Sequence, residues 1–340
     1  MPSIDPIVST YTRPSAIPEE VWWVFEANPA TSNIIYAQAL KTRRAEQKGR
    51  PAAPGQAWIT SSVMTRGGLV PDFILSCSEG AMGSYPIFIF TTLPASSLRP
   101  ELLYARLYPM AHALYKAVST QRVYSVFAVD AVAQMFISIW TKFTGIAPEP
   151  EAYYHAMFSR LPRRLFRDCP TTRHHGYDFD LRPATVDDIP RVAALCKGFA
   201  STSDPFTLDN AGSMREARVL VSSRQVWVHT ARAPDGREGI ASLVAFTRNT
   251  DTVSAITKVY TNPDWRKLGC AERLVRRVCR YLLLEQGKEE VVLYVAHENA
   301  AAAGVYRRVG FLGLNGAPAD GVDSWIEIGL DQRRVKLGHW

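Results

Sequence analysis

The second half of the chain alternates short apolar runs with helical patterns in an order that restricts it to one class of fold. After an opening strand and helix, three segments alternate like strands: Gln225–Ala231, a run from Gly239, and Val253–Thr261. Turn residues separate these segments, so we expect an antiparallel run. Helix, strand, helix and strand patterns follow at about 270–285, 291–296, 299–309 and 325–330. This order predicts an α/β sandwich built on a mixed sheet.

The first half repeats this order of segments weakly. The order is strand, helix, strand and helix, as it is from 253 to 309 in the second half. The four segments are a strand that ends at Pro94, a helical pattern from Pro100, a strand from Val123 and a second helical pattern. Pro94 and Pro263 are 169 residues apart. We therefore predict two copies of one fold, with two unrelated domains as the alternative.

The join between the copies is predicted in a basic, proline-containing stretch at 161–177. The length of 340 residues supports a division, because one hydrophobic core rarely holds so many. The predicted domains are 1–170 and 177–340.

Charge and cysteine usage limit the class of protein. The chain has 39 Lys and Arg against 32 Asp and Glu, a formal net charge of +7, spread over both halves without a basic tail. This pattern is too diffuse to predict nucleic-acid binding, but it suits a polyanionic small molecule. The five cysteines are scattered and lack C-x-x-C spacing, so we expect a reducing compartment, no disulfide framework and no bound metal.

The apolar segments do not predict a membrane protein. The stretch Met1–Pro6 has no basic region and no apolar region, which predicts the absence of a signal peptide. The most apolar stretch, Val123–Trp140, carries Asp130 and Gln134 in its middle, and a carboxylate there would be costly in lipid. We expect a strand and a helix in this stretch, and a cytoplasmic protein.

The loop Arg266-Lys-Leu-Gly-Cys-Ala271 lies between a predicted strand and a predicted helix. The first N–H groups of a helix have no partner within it, and the helix dipole leaves that end partly positive. Gly269 removes a side chain that would keep an anion away, while Arg266 and Lys267 add positive charge. The alternative is an ordinary helix start with a solvated basic turn. The loop predicts a diphosphate site on the amides of Leu268, Gly269, Cys270 and Ala271.

Asn299 and Tyr306 are seven residues apart, about two helical turns, so they share one helix face. Ala302 and Ala303 between them are small and leave room along that face. A phenol has a pKa near 10 and is protonated at pH 7, so it is able to donate a proton to a leaving group. The alternative is structural, with Asn299 as a helix cap and Tyr306 as a half-buried packing residue.

Together these motifs resemble those of the GNAT family, the Gcn5-related N-acyltransferases. The resemblance covers about residues 179–330, and it includes the N-x-x-A-x-x-x-Y-x-x-x-G-F run Asn299–Phe311 and the opening Leu181-Arg-Pro-Ala-Thr. It implies two GNAT-like α/β domains, each a mixed, mostly antiparallel twisted sheet flanked by helices. It also implies an acyl-CoA donor, usually acetyl-CoA, whose diphosphate sits on the 266–271 loop.

The same resemblance implies where the rest of the coenzyme lies. Its pantetheine arm would bond backbone groups of strand 253–261, where this strand separates from the one at 291–296. Tyr306 matches the position that protonates the departing CoA thiolate. The coenzyme-binding positions outside the loop are expected to be Val259, Tyr260, Thr261, Asn299 and Ala302.

The first half departs from the family pattern at the positions that would bind CoA and protonate its thiolate. At the offset of 169 residues, the counterparts of the loop glycine, of the asparagine and of the tyrosine are Pro100, Asp130 and Ile137. A proline in place of glycine also removes an amide donor. We expect this half to have lost the means to hold CoA and to form a structural and substrate-pocket domain.

The sequence offers two candidates for the general base. An amine acceptor needs a free lone pair, so a base or a water chain must take its proton. Strand 253–261 offers Lys258 but no carboxylate. Glu298 and His297 are the nearest candidates, although Glu298 could simply be a first-turn helix residue and His297 a loop residue.

The 270–285 helix carries a basic face. We expect this face to be solvated, the alternative being contact with the 3′-phosphate of CoA or with nucleic acid, and Arg273 lies close enough to the loop for such a contact. The arginines of this face are Arg273, Arg276, Arg277 and Arg280.

The sequence thus predicts an acyl-CoA-dependent N-acyltransferase that acts on a small-molecule amine by direct attack. The alternatives are another reaction class on the same scaffold, O-acyl transfer or decarboxylation, and a non-catalytic acyl-CoA-binding module. We expect neither a metal nor a nucleic-acid or membrane partner, and a monomer or homodimer.

Overall fold

The structure is a computed structural model that describes residues 6–51, 53–65, 67–169, 174–316 and 319–339. Two stretches that carry predictions lie outside these ranges. They are Met1–Asp5, for which we predicted no signal peptide, and residues 170–173 of the predicted join between the domains. The strands are β1 (Ile7–Tyr11), β2 (Ala57–Thr65), β3 (Gly68–Cys77), β4 (Glu79–Gly80), β5 (Gly83–Ser84), β6 (Ile87–Thr91), β7 (Ser125–Val129), β8 (Tyr154–Pro162), β9 (Asp178–Pro183), β10 (Val226–Arg232), β11 (Glu238–Asn249), β12 (Val253–Thr261), β13 (Glu290–Ala296) and β14 (Ser324–Gly329).

The helices of the described residues include the predicted ones, although the 270–285 helix ends in a π-helical turn at Tyr281–Glu285. Among the described residues, no helix has both the length and the apolar composition that a membrane crossing requires. The α-helices are α1 (Glu19–Ala27), α2 (Asn33–Gln47), α3 (Pro100–Ala117), α4 (Asp130–Thr144), α5 (Ile189–Ala200), α6 (Asn210–Ser222), α7 (Cys270–Arg280) and α8 (Ala300–Val309).

The chain forms two compact units whose limits differ from the predicted domains. One unit is Met1–Ala156 together with Asp323–Trp340, and the other is Met157–Val322. The difference at the C-terminus arises because β14 pairs antiparallel with β7, with Trp325 opposite Val129. The last strand of the chain therefore completes the sheet of the first unit.

The first unit has the strand order β1-β2-β3-β6-β7-β14. Only β6 and β7 are parallel among these described pairs, and the others are antiparallel. Helices α3 and α4 pack on one face, where Leu107, Phe136 and Trp140 meet Phe73 of β3 in the core. The predicted strand and helix at Val123–Trp140 are confirmed as β7 and α4.

The second unit has the strand order β8-β13-β12-β11-β10-β9. Here β12 and β13 are parallel, and β9 to β12 pair antiparallel in sequence. Leu274 of α7 packs with Val244 on one face, while Leu220 of α6 packs with Leu243 on the other. Adjacent residues of β11 thus point to opposite helical layers, as the period of a strand requires. Each unit is a mixed, mostly antiparallel sheet flanked by helices, which confirms the predicted fold class.

Candidate active site

The loop after β12 has a sharply bent backbone. It begins with a 3-10 turn at Pro263–Trp265, which the buried Trp265 ring anchors. Lys267 and Gly269 then both have a left-handed backbone, with φ of 64° and 70°. Glycine adopts this conformation freely, but lysine rarely does, so the surrounding structure must hold Lys267 in place. Helix α7 starts directly after the second left-handed residue.

The start of α7 presents amides that no helical carbonyl accepts. The backbone N–H of Arg273 bonds to the Gly269 carbonyl at 3.1 Å. The N–H groups of residues 269–272 come before this bond, so they have no acceptor within the helix. Arg266, Lys267 and Gly269 are all exposed. Free amides, the positive end of a helix and two exposed cations together suit an anion such as a diphosphate.

The parallel strands β12 and β13 separate beside this loop. Their ladder ends where Ala255 is opposite Val292. Beyond this pair β12 stays paired with β11 as far as Thr261 opposite Ser242, but it has no ladder partner on its β13 side. The backbone of residues 259–261 therefore has one edge available to an extended ligand.

The pairing of β12 with β11 has a local irregularity next to the end of the β13 ladder. Ala245 of β11 is opposite Lys258 and Arg248 is opposite Ala255, so the register is the same on both sides and neither strand has an inserted residue. Only Phe246, opposite Ile256, departs from this register. The irregularity falls directly after the last residue of β12 that pairs with β13.

The side chains of β12 beyond Thr257 alternate between the two helical layers. Val259 packs against the core formed with α7 and α8, and Tyr260 packs on the α5 and α6 side. The Tyr260 ring lies so close to Gly198 that a Cβ there would be 2.7 Å from it. Gly198 therefore permits the close approach of α5 to this part of the strand.

Asn299 caps helix α8. Its side-chain oxygen accepts a hydrogen bond from the Ala302 N–H at 3.0 Å, which satisfies one of the free amides of the helix start. The residue is exposed. The structural alternative is therefore realised, and a ligand contact would use the remaining amide N–H₂ group.

Tyr306 lies on the buried face of α8, where its side chain is 7% exposed and its ring is edge-on to Phe311 at 5.7 Å between centroids. It shares an apolar cluster with Leu274, against which Val259 and Ala302 also pack. Its hydroxyl makes no hydrogen bond among the described residues, yet the oxygen is not one of the fully buried polar atoms. The hydroxyl of this buried residue is therefore not fully enclosed. Burial raises the pKa of Tyr306 well above its ordinary value, which keeps the phenol protonated.

His297 and Glu298 lie in the turn between β13 and α8, and both are exposed. The Asn299 N–H closes this turn by donating to the Ala296 carbonyl at 3.0 Å. The structure thus brings Tyr306, Ala302 and Val259 to one cluster, but it leaves the two candidate bases at the surface of the turn.

A buried ion pair on β12 is not evident from the sequence. The Lys258 Nζ is 3.1 Å from Glu216 Oε1 of α6, and the two side chains are 11% and 8% exposed. The same Nζ lies 4.6 Å from the centre of the Phe199 ring. A carboxylate therefore does reach this strand, from another element. The sequence does carry one sign of this pair. Glu216 lies four residues before Leu220 in α6, so the helical spacing places this glutamate on the buried face of the helix.

Two arginines of α7 are buried, so the predicted solvated face is wrong for them. Arg273 and Arg276 are each 6% exposed. Arg276 donates to the backbone carbonyls of Arg167 and Arg308, both at 2.9 Å. A guanidinium has five N–H donors, so it is able to satisfy several carbonyls at once inside the protein.

The corresponding helix start in the first unit has a different backbone. Helix α3 begins at Pro100, and the preceding Arg99 is extended, with φ of −77°, where Gly269 is left-handed. Proline also lacks an N–H, so α3 offers one fewer free amide than α7.

The start of α4 corrects the predicted alignment of the two units by one residue. Because α4 begins at Asp130, Val129 and not Asp130 holds the position of the helix cap, and its side chain makes no cap hydrogen bond. Seven residues later Phe136, and not Ile137, holds the position of the phenol. Phe136 is fully buried and has no hydroxyl.

Within the described ranges, no group of three or more His, Cys, Asp and Glu residues is arranged to hold a metal ion. The five cysteines are free thiols.

Comparison with protein-family models matches residues 198–311 to the acetyltransferase (GNAT) family. This stretch contains β12, the 266–271 loop and α8. Two solved structures share the fold over almost the whole chain. A Drosophila protein is 12% identical, with 95% of this chain and 98% of that chain covered and a TM-score of 0.58. A GCN5-related N-acetyltransferase from Sphaerobacter thermophilus is 13% identical, with 94% of each chain covered and a TM-score of 0.52. Residues 198–311 thus match the GNAT family, and the two solved structures show that this chain shares their fold.

A tandem GNAT protein from the clavulanic acid biosynthesis pathway is also similar, at 14% identity and a TM-score of 0.49, with 95% of this chain and 98% of that chain covered. The search of curated proteins gave no match. At these identities the structural likeness of the chain to these proteins concerns the fold.

Proposed function

We propose that this tandem GNAT chain is an acyl-CoA-dependent N-acyltransferase that transfers an acyl group, most readily acetyl, to the amine of a small molecule. One observation carries the proposal: the open edge of β12 and the free amides of α7 belong to one continuous segment, 259–271. Acyl-CoA is a diphosphate joined to an extended amide-containing arm. A ligand of that chemistry fits both features at once.

Two features of this segment suit such a ligand. Gly269 is exposed and carries no side chain over the amides, and the two adjacent cations are exposed as well. The edge of β12 is open to an extended arm because the ladder with β13 ends at Ala255. In this proposal the coenzyme is held by Val259, Tyr260, Thr261, Arg266, Lys267, Leu268, Gly269, Cys270, Ala271, Asn299 and Ala302.

Tyr306 would act as the general acid. Bound acyl-CoA supplies a thioester, and attack by the acceptor amine forms a carbon–nitrogen bond while the carbon–sulfur bond breaks. Tyr306 is suited to give its phenolic proton to the leaving thiolate, because its hydroxyl is not fully enclosed and makes no hydrogen bond among the described residues, and its raised pKa keeps it protonated. The N–H of Val259 would stabilise the carbonyl oxygen as it gains negative charge.

The amine must lose a proton, and no buried carboxylate is free for this purpose on the strand, where Glu216 pairs with Lys258. We assign the proton transfer to Glu298 or His297, acting through water from the exposed turn before α8.

The first unit would serve as a structural and substrate-pocket domain without a coenzyme of its own. The support is that α3 starts at a proline after an extended residue, and that Phe136 stands at the position of the phenol. We further propose that the protein acts in the cytoplasm as a monomer or homodimer.

Calorimetry with CoA and acetyl-CoA, followed by a thiol-release assay across a panel of small amines, tests the proposal. We expect one equivalent bound per chain and turnover with at least one amine. Absence of binding would overturn the proposal, and two equivalents per chain would overturn the role given to the first unit. Binding without turnover of any amine would instead support a coenzyme-binding module.

A further inference from the structure

The buried guanidinium of Arg273 lies directly beneath the loop. It donates from Nη2 to the backbone carbonyl of Leu268 and lies 3.7 Å from the Cys270 sulfur. Its Nε donates to His229 Nε2 at 3.1 Å, and its central carbon is 4.1 Å from the centre of the Phe179 ring. The side chain thus ties the loop to β10 and β9 in the interior of the second unit.

The contact with Leu268 fixes the orientation of one peptide group. Leu268 lies between the two left-handed residues, Lys267 and Gly269, so its carbonyl is in the most strained part of the loop. In a trans peptide, the carbonyl of one residue and the N–H of the next point in opposite directions. A carbonyl held towards the buried guanidinium therefore turns the Gly269 N–H outwards, among the free amides of the α7 start.

We propose that Arg273 is a positioning residue that holds the 266–271 loop in its anion-binding shape before the coenzyme arrives. The inference rests on the proposed function, because it concerns how the same loop binds a diphosphate. A loop already in its bound shape loses less conformational freedom on binding, so Arg273 contributes to affinity without touching the ligand.

His229 supports this role through its protonation state. An arginine side chain only donates hydrogen bonds, so His229 Nε2 must carry a lone pair and the ring must be neutral. The ring is fully buried on β10, and burial together with the charge of Arg273 lowers the pKa of His229 to about 4. An acceptor that is neutral at pH 7 therefore keeps Arg273 aimed at the loop.

Arg276 offers a matched control for Arg273. It lies on the same helix and is equally buried. It donates to the backbone carbonyls of Arg167 and Arg308 and pairs with the Glu272 side chain of its own helix, so it makes no hydrogen bond to the backbone of the loop. Both substitutions to lysine keep the charge and lose the planar fork of donors. A merely structural role predicts equal effects of the two variants on the loop.

The experiment compares Arg273→Lys with Arg276→Lys by hydrogen exchange of the peptide 266–272 in the ligand-free protein and by calorimetric Kd for CoA. We expect Arg273→Lys to speed exchange of these amides and to weaken CoA binding, each by at least tenfold. Arg276→Lys should lower the melting temperature to a similar extent and change neither quantity by more than about threefold. Unchanged loop exchange and Kd in Arg273→Lys would overturn the proposal.

Two variants of His229 separate positioning from folding. His229→Gln keeps an oxygen acceptor for the Arg273 Nε–H, whereas His229→Leu removes it. We expect loop exchange near the wild-type rate in the first and at least tenfold faster in the second. Equal loop exchange in both would overturn the role of His229. If wild-type protein binds no CoA, the proposed function fails while the exchange comparison still decides the role of Arg273 in the loop.

Discussion

Gly269 and Arg273 are one helical turn apart, and a Cβ on Gly269 would lie 3.1 Å from Arg273 Nη1. The glycine that exposes the free amides of α7 is thus also the residue that leaves room for the guanidinium beneath them. The left-handed backbone of Gly269, with φ of 70°, adds a second reason for glycine at this position.

We expect Gly269→Ala to weaken CoA binding by at least tenfold, because the new methyl group displaces Arg273 and strains the loop. The left-handed backbone should also cost about 1–2 kcal/mol of stability. Gly287→Ala is the control, since Gly287 has the same φ of 70° but nothing within 4 Å of its Cβ. Calorimetry and thermal unfolding would measure both variants, and equal Kd values in the two would contradict the expectation.

Tyr306→Phe should lower kcat for acyl transfer by about 10²-fold or more, with little change in KM for acyl-CoA, because the ring packing is kept and only the proton donor is lost. Burial raises the pKa of Tyr306, so its loss of a proton should not limit kcat below about pH 10. Tyr281→Phe is the control, a tyrosine whose ring contacts are with Trp227 and Phe246 and not with Tyr306. A kcat for Tyr306→Phe equal to that of Tyr281→Phe would exclude Tyr306 as the acid.

Local patterns predict the second unit closely, because its strands and helices follow their own periodicity. The segment Val253–Thr261 coincides with β12, and the helix expected to follow begins at Cys270. Local patterns do not predict which strand a given strand pairs with. Nothing in the alternation at 325–330 distinguishes pairing with β7 from pairing within the second half, and β14 in fact pairs with β7.

The site shows the same division between local and long-range features. The loop glycine and the two-turn spacing of Asn299 and Tyr306 are local signals. The Glu216–Lys258 pair and the contact between Arg273 and His229 join residues more than 40 positions apart. The periodicity of apolar residues along a helix or strand does not indicate such long-range contacts. The sequence therefore predicted a solvated face for Arg273, which is buried.

Lys258→Met should destabilise the protein by about 3–5 kcal/mol, because it leaves the Glu216 carboxylate buried without its cation. The double variant Lys258→Met with Glu216→Gln should cost less than the sum of the single changes. Removing the exposed Arg232 of the Arg232–Glu238 pair should change stability by less than about 1 kcal/mol, since these side chains are 65% and 59% exposed. Denaturant unfolding measures all of these, and a Lys258→Met cost no larger than that of the Arg232 variant would refute the prediction.

Variants of Asn299 separate its cap from its proposed ligand contact. Asn299→Ala loses the hydrogen bond to the Ala302 N–H and should cost about 1 kcal/mol, whereas Asn299→Ser keeps a capping oxygen. Both lack the amide N–H₂ group, so both should raise KM for acyl-CoA. A wild-type KM in Asn299→Ser would restrict Asn299 to the cap.

The neutral, buried His229 should make stability depend on pH. Its pKa is about 4 in the folded protein, against about 6.5 in an unfolded chain. Burial is the main cause, Arg273 adds to it, and Asp180 opposes it. Between these values the unfolded chain binds a proton that the folded protein does not, so stability rises with pH and is lost as the pH falls from about 6.5 towards 4.

We expect His229 to account for a loss of about 3 kcal/mol in the free energy of unfolding between pH 7 and pH 4. His229→Gln lacks the titrating ring, so its unfolding free energy should fall by that much less over the same interval. Asp188, whose pKa is lowered to about 2 by its hydrogen bonds with Arg182, gives a separate loss below pH 4 that should persist in both proteins. Denaturant unfolding at pH 7, 5.5 and 4 provides the comparison. Parallel pH curves for the wild type and His229→Gln would show that the pKa of His229 is the same in the folded and the unfolded chain, which would contradict its lowered pKa.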